Sequence, residues 1–114
     1  KQWGGSLGFW DNQTANEPGS LQKQITCKFN RAVIFDTTQN SWHGLPEPIQ
    51  APTGELRKSI AAYYLVAATA DVDTRGKALY APTKDQENDA EILSLIKKRS
   101  NVTTAHSTYK KEDS

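Results

Sequence analysis

Methionine is absent from this 114-residue chain, and cysteine occurs once, at Cys27. A single thiol excludes an intrachain disulfide and any zinc site built from several cysteines. Histidine is nearly as scarce, found only at His43 and His106. No apolar run approaches the roughly eighteen residues that a membrane-spanning helix needs. Charge of one sign is lacking too. Fourteen basic residues against thirteen acidic ones leave a net charge of +1, which argues against the basic footprint of a nucleic-acid binder. The opening "KQWGGSLGFW" lacks the basic, apolar and small-residue layout of a signal peptide. A cytoplasmic location is therefore the default expectation, and the sequons at Asn12 and Asn101 are read as chance. A chain without methionine that opens on Trp-Gly-Gly is expected to be a piece of a longer protein.

What is present suits one domain with a modest core. The hydrophobic fraction is 36% and the mean hydropathy is −0.71, so much of the chain is solvated. "GGSLGFW" (4–10) reads as a strand entered through a tight turn, and "DNQTANEPGS" (11–20) reads as a loop on composition. "LQKQITCKF" (21–29) alternates. Leu21, Ile25, Cys27 and Phe29 fall on one face with Lys23 as the exception, as in a half-buried strand with Cys27 as inert packing. "AVIF" (32–35) reads as the next strand. "HGLPEPIQAPTGE" (43–55), with three prolines and two glycines, is an extended connection. "RKSIAAYYLVA" (57–67) reads as a long, mostly buried strand.

Beyond residue 67 the character changes. "ATADVDTRGKALYAPTKDQEND" is polar and irregular, and its Asp71 and Asp73 read as a solvated turn rather than a calcium loop. "DAEILSLIKKR" (89–99) reads as a helix. Acids open it and bases close it, with Ile92, Leu93 and Ile96 as its apolar stripe and Thr83 with Gln86 as its capping box. The basic cluster Lys97-Lys98-Arg99 is what a helix end favours. The tail after Tyr109 is expected to be loose. Four or five short strands followed by one helix predict a mainly β, sandwich- or barrel-like antiparallel architecture.

The chemistry concentrates in "NSWHGLPEPIQAPTGELRKSIAAYYL" (40–65). On a strand, Arg57 and Ser59 share a face about 6.5–7 Å apart. A guanidinium beside a hydroxyl makes a receptor for a carboxylate, through a bidentate fork and one further donor. His43 stands fourteen positions before Arg57 (43 to 57). If the two segments neighbour each other in a sheet, a neutral imidazole there is an ordinary metal ligand. A metal chelated by one end of a dicarboxylate, with the other end held by Arg57 and Ser59, would account for the spacing. Plainer readings stand beside these. His43 as a surface or capping residue, and Arg57 as a strand-edge salt-bridge partner of Glu55 or Glu47, are both open. Trp42 fits the mouth of a substrate cavity or packing on a sheet edge, and His106 fits tail surface.

Three ordered blocks add a resemblance. "WGGSLGFWDNQ", "FNRAVIFDTTQNSWHGLPEPI" and "GELRKSIAAYYL" resemble the Fe(II)- and 2-oxoglutarate-dependent oxygenases, with the prolyl 4-hydroxylase-like branch nearest. The resemblance covers residues 3–65 and implies a double-stranded β-helix, a jelly-roll cup of two sheets, here an incomplete half. Residues 1–67 would be C-terminal strands of that core. Residues 68–114 would be an irregular extension with a helix near 86–99 and a loose tail.

The resemblance also implies a facial triad of two histidines and a carboxylate, with His43 as the distal iron ligand. Arg57 and Ser59 would hold the remote carboxylate of 2-oxoglutarate. The implied cofactors are Fe(II) and 2-oxoglutarate, with ascorbate as an accessory reductant. The implied reaction is hydroxylation of an unactivated C–H bond in a peptidyl proline or a small molecule. The His-x-Asp that supplies the other two ligands in this family is missing from the chain, so it is expected upstream, and the chain alone is not expected to be competent. A half domain with open sheet edges is expected to form a homo-oligomer or exchange strands. The rival reading is a non-catalytic jelly-roll binding module, for instance for carbohydrate, using Trp3, Trp10 and Trp42.

Overall fold

The computed structural model describes residues 3–38, 41–64, 66–67, 69–71, 78–101 and 103–104. The chain divides into two compact units, residues 1–72 and 73–114. Among the described residues no helix is long and apolar enough to cross a membrane.

The first unit is organised by one hairpin and a third short strand. Strand β1 is Leu7–Thr14, β2 is Glu17–Ile25 and β3 is Trp42–Gly44, in the sheet order β2-β1-β3 with both pairings antiparallel. The segment 11–20, expected to be a loop, is the far half of this hairpin, turning at Ala15-Asn16. Its polar composition misled because both strands are solvent-exposed there, so nothing selects for apolar residues. Asp11 supplies the order instead. Its carboxylate accepts from the Ser20 backbone N–H and from the Gln22 side-chain amide, each at 2.6 Å. Gly19 leaves room for this, since a Cβ there would collide with the same carboxylate.

The register slips between Phe9 and Trp10. Phe9 pairs with Lys23 and Trp10 pairs with Leu21, so Gln22 is an extra residue on β2. A bulge of this kind breaks strict alternation. It moves Leu21 to the face of Trp10, while Ile25 remains opposite Leu7. β2 ends at Ile25, so Cys27 lies beyond it as an exposed free thiol rather than as core packing. Phe29 is also exposed.

The other expected strands are not formed. Residues 32–35 and the described part of 57–67 have no strand pairing, and Ile34, Ile60, Tyr64 and Val66 are each more than nine-tenths exposed. Their β-forming side chains meet no neighbouring strand to bury them, and β propensity without a partner does not make a strand. Consistent with this, no hydrophobic residue among those described is fully buried. The described architecture is thus mainly β, a small three-stranded sheet with one helix, and the wider jelly-roll is not formed by these residues.

In the second unit, helix α1 runs Ala90–Arg99. Asp89 is its N-cap, its carboxylate accepting from the N–H groups of Glu91 at 3.0 Å and Ile92 at 3.1 Å. Thr83 and Gln86 cap a separate 3-10 turn, Lys84–Gln86, where the Gln86 side chain accepts from the Thr83 N–H at 3.2 Å. The expected capping box therefore belongs to that turn and not to α1. The half-buried stripe is Ile92, Leu95 and Ile96, with Leu93 exposed. Leu93 and Leu95 lie equally far, about 80°, to either side of the midline between Ile92 and Ile96, so spacing alone does not separate them and packing selects Leu95. Arg99 lies over the Tyr80 ring, 4.5 Å from its centroid. In the first unit, Thr69 donates to Asp71, and this hydroxyl holds the Asp71 carboxyl below its ordinary range. The Thr83 hydroxyl does the same for Asp85. Asp73 and His106 lie outside the described residues.

Asp89→Ala removes two acceptor contacts from the start of α1. It should cost about 1 kcal/mol of helix stability, read as an earlier loss of helical circular dichroism on heating. Asp89→Asn, which keeps an acceptor, should recover most of it.

Candidate functional site

β1 carries one element of the site on each side of its N-terminal half. Just before it, Gly4 and Gly5 take φ of +71° and +76°, a region that L side chains adopt only at a cost. A Cβ at Gly4 would run into the Pro48 carbonyl, and Gln50 N–H donates to the Trp3 carbonyl at 2.8 Å. The proline-rich connection is thereby laid against the glycine pair. Gly5 is buried and touches Arg57, since a Cβ there would lie 3.0 Å from Arg57 Cδ and 3.5 Å from Ile49 Cγ1.

Arg57 is half-buried in this contact. Its Nε–H donates to the Gly5 carbonyl at 2.8 Å, and Nη1 donates to Ser59 Oγ at 3.4 Å. The first bond is short and spans 52 residues of sequence; the second is long and local. Bonds to charged donors contribute about 1.5–3 kcal/mol at good geometry and weaken with distance, so Gly5 sets where the guanidinium lies. Neither Glu55 nor Glu47 bonds to Arg57 among the described contacts. Arg57 and Ser59 come together in this contact, but not through strand geometry, since no strand forms there.

His43 sits on β3 directly opposite Phe9 of β1. Its ring meets Phe35 edge-on with centroids 4.8 Å apart and lies 6.5 Å from Phe9, while Phe9 and Phe35 themselves pack edge-to-face at 5.0 Å. Such aromatic pairs add about 0.5–1.5 kcal/mol each beyond area burial, which favours this ring plane although His43 is exposed. Nδ1 lies 2.7 Å from the Ser41 carbonyl. A carbonyl only accepts, so Nδ1 carries a proton in this contact, and in the neutral ring the lone pair is then on Nε2. This is how a metal-ligating histidine is oriented from behind. His43 thus fits one ligand position. Among the described residues no group of three histidine, cysteine, aspartate or glutamate side chains gathers to complete a metal site.

Trp42 precedes His43 and so points to the opposite face, where it pairs with Trp10. That face is paved by the Trp10 ring, which lies over Gly8 so closely that a Cβ there would be 2.7 Å from it. Trp42 is half-buried, and its Nε1 is buried without a hydrogen-bond partner among the described residues.

Sequence reasoning singled out the ligand-type residues and missed their supports. The carbonyls of Gly5 and Ser41 are backbone atoms with no side-chain signature. Phe9 and Phe35 look like ordinary strand residues, and only their pairing with His43 gives them a role. Lys23 stands opposite Phe9 on the other flank, which puts Lys23, Phe9 and His43 in one row across the sheet. Its signal was visible as the polar exception in an apolar alternation.

Residues 1–65 match the family model described as the 2OG-Fe(II) oxygenase superfamily, where 2OG is 2-oxoglutarate. No curated protein and no solved structure matches the chain.

The Ser41 contact makes a direct prediction. In neutral protein, long-range nitrogen–carbon correlation spectra of His43 should show protonated Nδ1 and unprotonated Nε2. The opposite tautomer would remove the free lone pair on which a ligand role depends.

Proposed function

Because the chain belongs to the 2OG-Fe(II) oxygenase superfamily, we propose that His43 is an iron ligand of the oxygenase and that Arg57 with Ser59 receives the remote carboxylate of 2-oxoglutarate. The superfamily implies Fe(II) and 2-oxoglutarate, which when bound would supply the oxidising chemistry with dioxygen as the oxidant. The chain's own residues bind and orient. His43 offers Nε2 with its ring clamped by Phe35 and by the Ser41 carbonyl. Arg57 and Ser59 offer a cation and a hydroxyl to one end of the dicarboxylate.

The observation that carries the reading is the Arg57–Ser59 contact, a charged fork with a hydroxyl beside it. The remaining ligands come from outside the described residues. The C–H bond hydroxylated belongs, in this proposal, to a peptidyl proline, on the likeness of the three motif blocks to the prolyl 4-hydroxylase-like branch. Phe9 and Phe35, beside His43, are better placed to meet it than Trp42 on the opposite face.

Anaerobic addition of Fe(II) and 2-oxoglutarate tests the reading. Where the remaining ligands are present, the charge-transfer absorption of a chelated complex should develop, and both His43→Ala and Arg57→Ala should abolish it. Absorption that survives both substitutions would refute these assignments. A silent unsubstituted protein that carries all of its ligands would leave the non-catalytic binding module ahead.

We also propose that isolated chains associate. Among the described residues β2 and β3 are both open edges of the sheet, and Leu56, Ile60, Tyr63, Tyr64 and Val66 are exposed, which favours pairing with a second copy. Sedimentation velocity should show concentration-dependent dimers or larger species, and a single monomeric boundary at all concentrations would count against this.

A further inference from the structure

We infer that the Gly5 carbonyl is a positioning group that dictates which edge of Arg57 reads the dicarboxylate. The inference rests on the proposed receptor role of Arg57 and goes beyond it by naming how the receptor is set.

An arginine has five N–H donors, one on Nε and four on the two Nη atoms. They offer two edges for a bidentate carboxylate. The side edge is Nε with the neighbouring Nη, and the end edge is the two Nη atoms together. Here Nε is committed to Gly5 at 2.8 Å, so the side edge is closed. Nη1 also touches Ser59 Oγ at 3.4 Å. Five donors less these two leave three, all on Nη atoms, and Nη2 has no partner among the described residues. A carboxylate must therefore approach end-on, on the edge beside which the Ser59 hydroxyl stands as an additional donor.

The backbone around Gly5 is built for this contact. Its φ of +76° suits glycine, and its missing Cβ is what lets Arg57 Cδ come within contact distance. A side chain at residue 5 would push Arg57 away and loosen the bond to the carbonyl. With Nε freed, the guanidinium can turn and present either edge. Lysine cannot substitute, because one ammonium cannot hold a carbonyl through one rigid nitrogen while offering two parallel donors from others.

The test compares 2-oxoglutarate with 2-oxobutanoate, which has the same keto-acid end and no remote carboxylate. Calorimetric titration of the unsubstituted protein should favour 2-oxoglutarate by about tenfold or more, the scale of a charge-assisted contact. Gly5→Ala and Arg57→Lys should each reduce that preference while leaving 2-oxobutanoate binding in place. A merely structural role for Gly5 would weaken both ligands alike and would overturn the inference. Because Gly5→Ala carries backbone strain, nitrogen-15 spectra of the unsubstituted protein provide an independent readout. Adding 2-oxoglutarate should shift the Arg57 Nη signals and leave the Nε–H signal in place. An Nε signal that moves as far as the Nη signals means side-on binding and overturns the inference while the receptor reading stands. Equal affinity for the two keto acids overturns both.

Discussion

One stretch of backbone, residues 3–14, anchors both halves of the site, and the first unit depends on it. At its start the Gly5 carbonyl holds Arg57 from 52 residues away. Four residues on, Phe9 faces His43 across the sheet. Four residues of chain span no more than about 14 Å, so the two anchor points are tied at short range whatever the intervening connection does. The proline-rich stretch from His43 to Glu55 need only bridge them. It is held down in passing by the Gln50-to-Trp3 hydrogen bond and by the fit of Pro48 against Gly4.

Close approach without a side chain recurs around this segment. Gly5 admits Arg57, Gly8 lies under the Trp10 ring, and Gly19 admits the Asp11 carboxylate. Each substitutes a specific contact for the generic burial that the chain lacks, since no hydrophobic residue among those described is fully buried. Hydrogen bonds and aromatic edges are directional, whereas apolar burial is not. A small sheet held this way can orient a ring and a guanidinium even where its core is thin. Its limit shows in Ile34, Ile60, Tyr64 and Val66, which point to solvent because no strand among the described residues lies beside them.

The helix and the hairpin show where local sequence suffices and where it does not. α1 was legible from its acid-to-base gradient and its 3.6-residue stripe, because both are properties of a single element. Even so, its cap and one stripe position were misassigned, since Asp89 competes with Thr83 and only the three-dimensional register excludes Leu93. The hairpin arm 11–20 was read as loop because Asn, Asp, Pro and Gly usually mark one. The Asp11 network that orders it bonds across nine and eleven positions, beyond the reach of any local pattern.

The site divides along the same line. His43, Arg57 and Ser59 could be named from residue types, spacing and the likeness of three blocks to one oxygenase family, because chemical capacity is written in side chains. The sequence by itself determined which groups are available and which superfamily they belong to. The tertiary structure alone decided how each group is turned. It committed Nδ1 of His43 to the Ser41 carbonyl and Nε of Arg57 to the Gly5 carbonyl, and it sent Trp42 to the face opposite His43. Orientation of this kind depends on backbone acceptors and on strand register. Backbone atoms are the same at every position, so only the fold can say which of them a side chain will meet.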